Sequence, residues 1–345
     1  MREIKFLTLF IFITLVFSTV IVAGFNHKIS NAEIKTFDER LNDDFYFVHL
    51  TDTHIRHKIF DRNEDTSSRL KTVVETVVSF ENKPAFIVIT GDLTEWAAGI
   101  TGALNSMTFT KCFFEKDEQF YADEEFTIPV YTTPGNHDYV LHRNLRNYHR
   151  FIDKKHVTDE DRYIVTHEDV SLFFMDSGPN YYSDLSILFE WHGEGLYDCD
   201  IEWLEEELSN CESTRKIILM HHPAVGEEDD LFIHNREEFV ELCETYEVEV
   251  VLAGHTHKSR VYDYYLNEYT EEPPLNCSLY PTLYVQSDDC KQGVHFRNIS
   301  IQGNDIWIEP SENVKYENSH LKHRDSQVMW RLFNKLSSLF RERHT

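Results

Sequence analysis

Between residues 45 and 257 the chain repeatedly runs through a few apolar residues and then stops at a glycine or a polar cluster. Short apolar runs separated by segments of helical period are the pattern of buried strands in βα units. Residues 45–50 lead into Thr51-Asp52-Thr53-His54, and residues 66–80 follow as an amphipathic helix with Leu70, Val73, Val74, Val77 and Val78 on one side. Residues 85–90 stop at Gly91-Asp92, and residues 128–132 stop at Pro134-Gly135-Asn136-His137-Asp138. Residues 171–175 repeat the arrangement, 217–220 enter His221-His222-Pro223, and 248–253 enter Gly254-His255-Thr256-His257. A chain organised this way is α/β. In open α/β sheets ligands gather at the C-terminal strand ends, so these polar motifs are expected to be neighbours in space.

Residues 260–266, 282–286, 294–302 and 305–308 alternate or are rich in β-branched and aromatic residues, and read as strands completing a second sheet. Glu309-Pro310-Ser311 marks a boundary, which gives a domain over 45–309 and an extension over 310–345. The insert at 97–127 and the loop at 180–198, with Tyr181, Tyr182, Trp191 and His192, either frame a pocket or cap the core.

The two ends of the chain differ from its middle. Residues 1–24 carry Arg2 and Lys5 and then an apolar run to Ala23, the pattern of an export segment. It is read as a cleaved signal peptide or a retained membrane anchor. Residues 328–340 place Val328, Met329, Leu332, Phe333, Leu336, Leu339 and Phe340 on one helical face, with Arg331 and Lys335 among them. Such a basic amphipathic helix contacts a membrane surface or packs on its own domain. Six cysteines, an even number without a C-x-x-C clip, suit an oxidising compartment. Local disulfides Cys199–Cys211 and Cys277–Cys290 are compatible with their spacing, whereas Cys243 reads as a buried apolar residue.

With 33 basic against 60 acidic side chains, the formal charge is −27. A surface so negative repels polyanions, which argues against a nucleic-acid polymer as partner. Bound divalent ions can supply local positive charge that the composition lacks.

The motifs contain the residue types for such ions. Hydrolysis of a phosphoester near neutral pH needs a strong nucleophile and positive charge on the phosphoryl oxygens, and two divalent ions about 4 Å apart supply both. A carboxylate can bridge the pair while neutral imidazoles complete each shell. Asp52-x-His54 and His255-x-His257 alternate by two, so where a strand gives way to a loop both side chains of a pair can reach one ion. Gly91, Gly135 and Gly254 each precede a ligand candidate, where the backbone turns sharply or approaches closely.

Five such motifs in this order resemble the calcineurin-like metallophosphoesterases, in their phosphodiesterase-like branch, over about residues 45–308. The resemblance implies a four-layered α/β/β/α sandwich of two mixed sheets flanked by helices. It implies that Asp52, His54, Asp92 and His257 hold one ion and Asp92, Asn136, His221 and His255 the other, with Asp92 bridging and a hydroxide between the ions. His137 would face the substrate as hydrogen-bond donor or general acid. The family pattern His-x-Pro selects His221 as ligand and leaves His222 behind it or in the pocket. Asp138 either orients a neighbour or is a solvated turn residue. Arg56 is an exposed loop residue or a phosphate contact. His49 and His57 are structural.

The expected activity is therefore that of an exported, metal-dependent phosphodiesterase or phosphomonoesterase acting on a small-molecule or lipid phosphoester. Its two divalent ions would be Mn, Fe, Zn, Co or Ni. The competing expectations are a catalytically silent scaffold of the same fold and a membrane-surface adaptor working through the terminal segments. The residues that follow Gly91-Asp92, Leu93-Thr94-Glu95-Trp96, lack the tyrosine ligand of purple acid phosphatases. They also lack the Gly-Asp-x-Val-Asp-Arg-Gly of the protein phosphatases.

Overall fold

In the computed structural model the described residues are 44–61, 65–114, 128–140, 144–152, 162–178, 195–227 and 230–316. Residues 1–24, most of the loop at 180–198 and the helix expected at 328–340 lie outside them.

The first sheet is built on β1 (Phe45–Leu50), β2 (Ile87–Thr90) and β3 (Val130–Thr133), which run parallel. The second is built on β5 (Val170–Phe174), β6 (Arg215–Leu219) and β7 (Val250–Ala253), also parallel, with β4 (Tyr163–His167) antiparallel on the edge. Side-chain alternation divides each strand between two layers. Val48 and Leu50 of β1 join the core beneath the helices α1 (Thr66–Ser79) and α2 (Gly99–Phe114), and Phe47 points into the core between the sheets. On the other side Ile217 and Leu219 of β6 enter that same central core, while Ile218 packs outward against α3 (Asp198–Asn210) and α4 (Arg236–Thr245). Burying both faces of both sheets produces helix, sheet, sheet, helix. The expected four-layered sandwich is the observed one.

The later strands complete the second sheet only in part. β8 (Arg260–Tyr262) and β11 (Leu283–Gln286) extend the β7 edge, with β9 (Glu268–Tyr269) outermost. β12 (His295–Gln302) crosses to pair antiparallel with β1, followed by β13 (Asp305–Ile308) and β10 (Leu275–Asn276). Alternation tells which face of a strand is apolar but not which edge it joins, and Ile299, Ile301, Ile306 and Ile308 find their apolar partners in the central core. Beyond the expected boundary, β14 (Glu312–Asn313) pairs with β12.

The local disulfides are absent, since all six cysteines are free. Cys199 and Cys211 lie at opposite ends of α3, roughly 18 Å apart at the helical rise, far beyond bridging distance. Cys277 packs in the central core and Cys290 beneath α1 and α2, on opposite faces of the first sheet. Cys243 is fully buried, as its pattern implied. Among the described residues no helix is long and apolar enough to cross a membrane.

Candidate metal centre

The C-terminal ends of β1, β2, β3, β6 and β7 deliver the polar motifs to one place. The loops after β1 and β2 stay paired beyond the strands, through His54 N–H to Asp92 O at 2.8 Å and Ile55 N–H to Leu93 O at 3.0 Å. The two sheets meet where the His255 N–H donates to Asp52 Oδ2 at 2.9 Å.

Asp52, His54, Asp92, His255 and His257 all have left-handed backbone, with φ of 51, 44, 49, 68 and 53°. This conformation costs a non-glycine residue on the order of 1 kcal/mol or more and concentrates where function requires it. It turns the chain sharply enough for alternate residues to face inward. Two glycines allow the loops to close. A Cβ on Gly91, itself at φ +81°, would lie 2.5 Å from the His221 ring, and one on Gly254 would lie 1.8 Å from Thr51 Oγ1.

Asp92 is the centre of the arrangement. Its Oδ2 lies 3.4 Å from His54 Nε2, and its Oδ1 lies 3.3 Å from His221 Nε2. On the Oδ2 side, Asp52 Oδ1 lies 3.5 Å from His54 Nε2 and 3.2 Å from His257 Nε2. On the Oδ1 side, His221 Nε2 is 3.1 Å from Asn136 Oδ1, and the His255 ring stands 5.2 Å from that of His221. His255 and His257 thus part to opposite sides of Asp92, and the spacing argument that one ion takes both members of a pair holds only for Asp52 and His54. The His221 Nδ1–H donates to the Thr90 carbonyl at 2.9 Å, which points Nε2 into the site.

His222 is buried behind His221. Its Nδ1 is 2.8 Å from Ser177 Oγ, and its ring packs 4.5 Å from that of His255. Its ligand atom also falls in a cluster with His221 and His255, so the ring lies close to the site as well as behind it.

His137 is more open, with a quarter of its side chain exposed. Its backbone N–H donates to Asp92 Oδ1 and its Nδ1–H donates to the Glu95 carbonyl, both at 2.9 Å. Asp138 is neither solvated nor bonded to the His137 ring. It is buried, and its carboxylate accepts N–H bonds from Leu93, Thr94 and Gly135, tying the Asp92 loop to the Asn136 loop. Burial and the nearby Asp92 raise its carboxyl to about 6 against those bonds. His49 is fully buried between Thr90 and Ser287, the structural role expected of it.

Glu95 is the residue that sequence reasoning missed. One oxygen is 2.9 Å from His54 Nδ1 and 3.0 Å from Lys291 Nζ, and the other accepts from Arg56 at 2.7 Å. Arg56 is accordingly a partly buried ion-pair partner rather than a free loop cation. Glu95 has only its place three residues after Asp92 as a signal, because Lys291 is remote in sequence.

The protein's own charges call for a cation. Burial opposes ionisation of Asp52 and Asp92, yet the imidazoles facing them, His221 foremost, hold both well below the ordinary carboxylate range. Burial likewise opposes a charged imidazole, but these carboxylates pull His54 up to about 10 and His221 up to about 9. Asp52 Oδ1 and His54 Nε2 are buried and meet each other and their neighbours only at 3.2–3.5 Å without a well-formed hydrogen bond, an arrangement that a cation bound between them would satisfy. Carboxylates, an amide oxygen and imidazoles on both sides of Asp92 therefore fit two divalent ions sharing it.

A family model described as calcineurin-like phosphoesterase matches residues 45–259. A protein of Rhodococcus erythropolis named "Probable cyclic nucleotide phosphodiesterase" is 25% identical over 220 residues, 62% of this chain and 65% of its own length. One of the same name from Psychrobacter arcticus is 25% identical over 228 residues, 62% of this chain and 74% of its own. This chain thus spans just under two thirds of the first relative. Among solved structures, GAP50, the anchor in the inner membrane complex of Plasmodium, aligns with a TM-score of 0.51 at 13% identity, covering 81% of this chain and 91% of that one. Purple acid phosphatase PPD1 from yellow lupin aligns with a TM-score of 0.51 at 14% identity, covering 79% and 52%. At these identities the two structures speak for the shared fold alone.

Proposed function

Because the chain belongs to the calcineurin-like phosphoesterase family, we propose that it is a metal-dependent phosphoester hydrolase, most directly a phosphodiesterase on a small-molecule or lipid phosphoester. The observation that carries this reading is the position of Asp92, with one carboxylate oxygen toward His54 and the other toward His221. Asp52, His54, Asp92 and His257 would hold one ion, and Asp92, Asn136, His221 and His255 the other. When bound, two divalent ions supply positive charge at the phosphoryl oxygens and a nucleophile at neutral pH.

The chain's own residues do the rest. The Glu95 carbonyl keeps the His137 proton on Nδ1 in the neutral ring, so a second proton on Nε2 is the one available to a leaving alkoxide. Asp138 keeps the Asp92 and Asn136 loops in register, and Glu95 with Arg56 and Lys291 orients His54. The names of the two bacterial relatives make cyclic nucleotides the first soluble diesters to try. The apolar run within residues 1–24 supports action outside the cytoplasm. An alkaline phosphatase fusion at residue 44 that is expressed but inactive, as that reporter is where its disulfides cannot form, would reject export.

The deciding experiment is turnover of bis(4-nitrophenyl) phosphate by protein reconstituted with Mn or Zn, alongside metal analysis. Two ions per chain with turnover support the enzyme. No bound metal after supplementation leaves a silent scaffold.

A further inference from the structure

Beside the metal centre the fold leaves large apolar side chains in solvent. Ile100 is 81% exposed, Ile59 69% and Trp96 59%, with Phe60 also exposed. They come from three segments that one buried residue gathers together. Trp96 directly follows Glu95, which braces His54 and His137. Asn105 of α2 donates to the Trp96 carbonyl at 3.1 Å, and its Oδ1 accepts the His57 backbone N–H at 2.8 Å. Ile100 lies on the first turn of α2, and the exposed Met107, seven residues on, shares its face. An apolar group of this kind next to a reactive site marks an interaction surface.

Its chemistry selects the occupant. Aromatic and branched aliphatic side chains in exposed loops suit the boundary between headgroups and acyl chains. The same edge is close to neutral in an acidic chain, with Arg56 and Lys291 sharing Glu95, and Lys58 beside Ile59 offset by Asp61 and Asp65 of the same loop. A near-neutral edge suits a zwitterionic headgroup layer, while a net charge of −27 repels an anionic surface as a whole. A soluble nucleotide is held by enclosing most of its surface, and among the described residues side chains this exposed provide no such enclosure.

We propose that the Ile59–Trp96–Ile100 edge docks on a zwitterionic phospholipid bilayer, so that the substrate is the phosphodiester of a membrane lipid. This rests on the hydrolase reading above and names its substrate class. Water oxygen joins phosphorus, and the departing alcohol oxygen takes a proton.

The test uses the full metal-loaded chain with phosphatidylcholine vesicles carrying brominated acyl chains, which quench only tryptophans that reach the bilayer. The wild type is expected to show a quenched component that Trp96→Phe loses. The ratio of vesicle phosphatidylcholine turnover to bis(4-nitrophenyl) phosphate turnover should fall at least tenfold in I59S/I100S. Comparison within the full chain cancels any contribution of the terminal segments. Equal quenching in wild type and Trp96→Phe, or an unchanged ratio, overturns the proposal, as it must if the edge serves a protein partner. If the soluble diester is cleaved while those results fail, the hydrolase reading stands and docking alone falls. If neither ester is cleaved with two ions bound, the hydrolase reading falls, and the lipid-substrate proposal falls with it.

Discussion

On the Asp52 side of Asp92 the ligand candidates are braced by charge, and on the Asn136 side by neutral groups. His54 faces Glu95, which is itself held by Arg56 and Lys291, and His257 Nδ1 lies 3.7 Å from Asp289. Across Asp92, His221 leans on the Thr90 carbonyl, and His255 on the His222 ring that Ser177 holds. Glu95 is about a fifth exposed, whereas His222 and Ser177 are fully buried. A partly exposed ionic brace is screened by salt and a buried neutral one is not. The two ion positions should therefore differ in affinity, and in how that affinity responds to salt and pH.

The sharpest test removes what both sides share. Asp92→Ala should lower turnover by at least ~10³-fold and bound metal to one ion per chain or fewer, with a cooperative thermal melt as the folding control. Retention of two ions would end the idea of a shared carboxylate. His137→Ala should cost ~10²–10⁴ in kcat with both ions retained, because its Nε2 is assigned to the substrate although it lies near His54 and Asp92. Loss of metal in that variant would move His137 among the ligands.

Glu95→Gln should weaken metal binding ~10–100-fold at one position only, as read by chelator competition. Equal weakening at both positions would erase the distinction between charged and neutral braces. Metal binding at pH 7 should release protons, since His54 at about 10 and His221 at about 9 carry protons that an incoming ion displaces. Affinity should then fall about tenfold per pH unit for each proton released as pH is lowered. Calorimetry in two buffers of different ionisation enthalpy counts those protons, and a count of zero would contradict protonated imidazoles at His54 and His221. Ser177→Ala should have the smallest effect, a few-fold loss confined to the second position, insensitive to salt.

Much of this centre was legible in the chain because metal ligands are few in kind and sit where strands end. Asp52, His54, Asp92, Asn136, His221, His255 and His257 were each marked by an apolar run stopping at a glycine or a polar residue. Glu95 was not, because its role depends on Lys291 and Arg56 arriving from other loops. Asp138 had the right type and place, but its work is through backbone N–H groups that no pattern displays. The cysteine count suggested pairs that the helix geometry of α3 and the two faces of the first sheet keep apart.

The strand-ending motifs with which the chain announces itself determined the α/β class and the chemistry gathered at one edge. These are properties of contiguous residues, carried by period and by the residue types that tolerate a sharp turn. Tertiary structure decided which sheet received β11, β12 and β13, which histidine faced which side of Asp92, and which charges brace them. Those are contacts between segments far apart in sequence, chosen by how the apolar faces of whole strands pack together, and no local pattern contains that information.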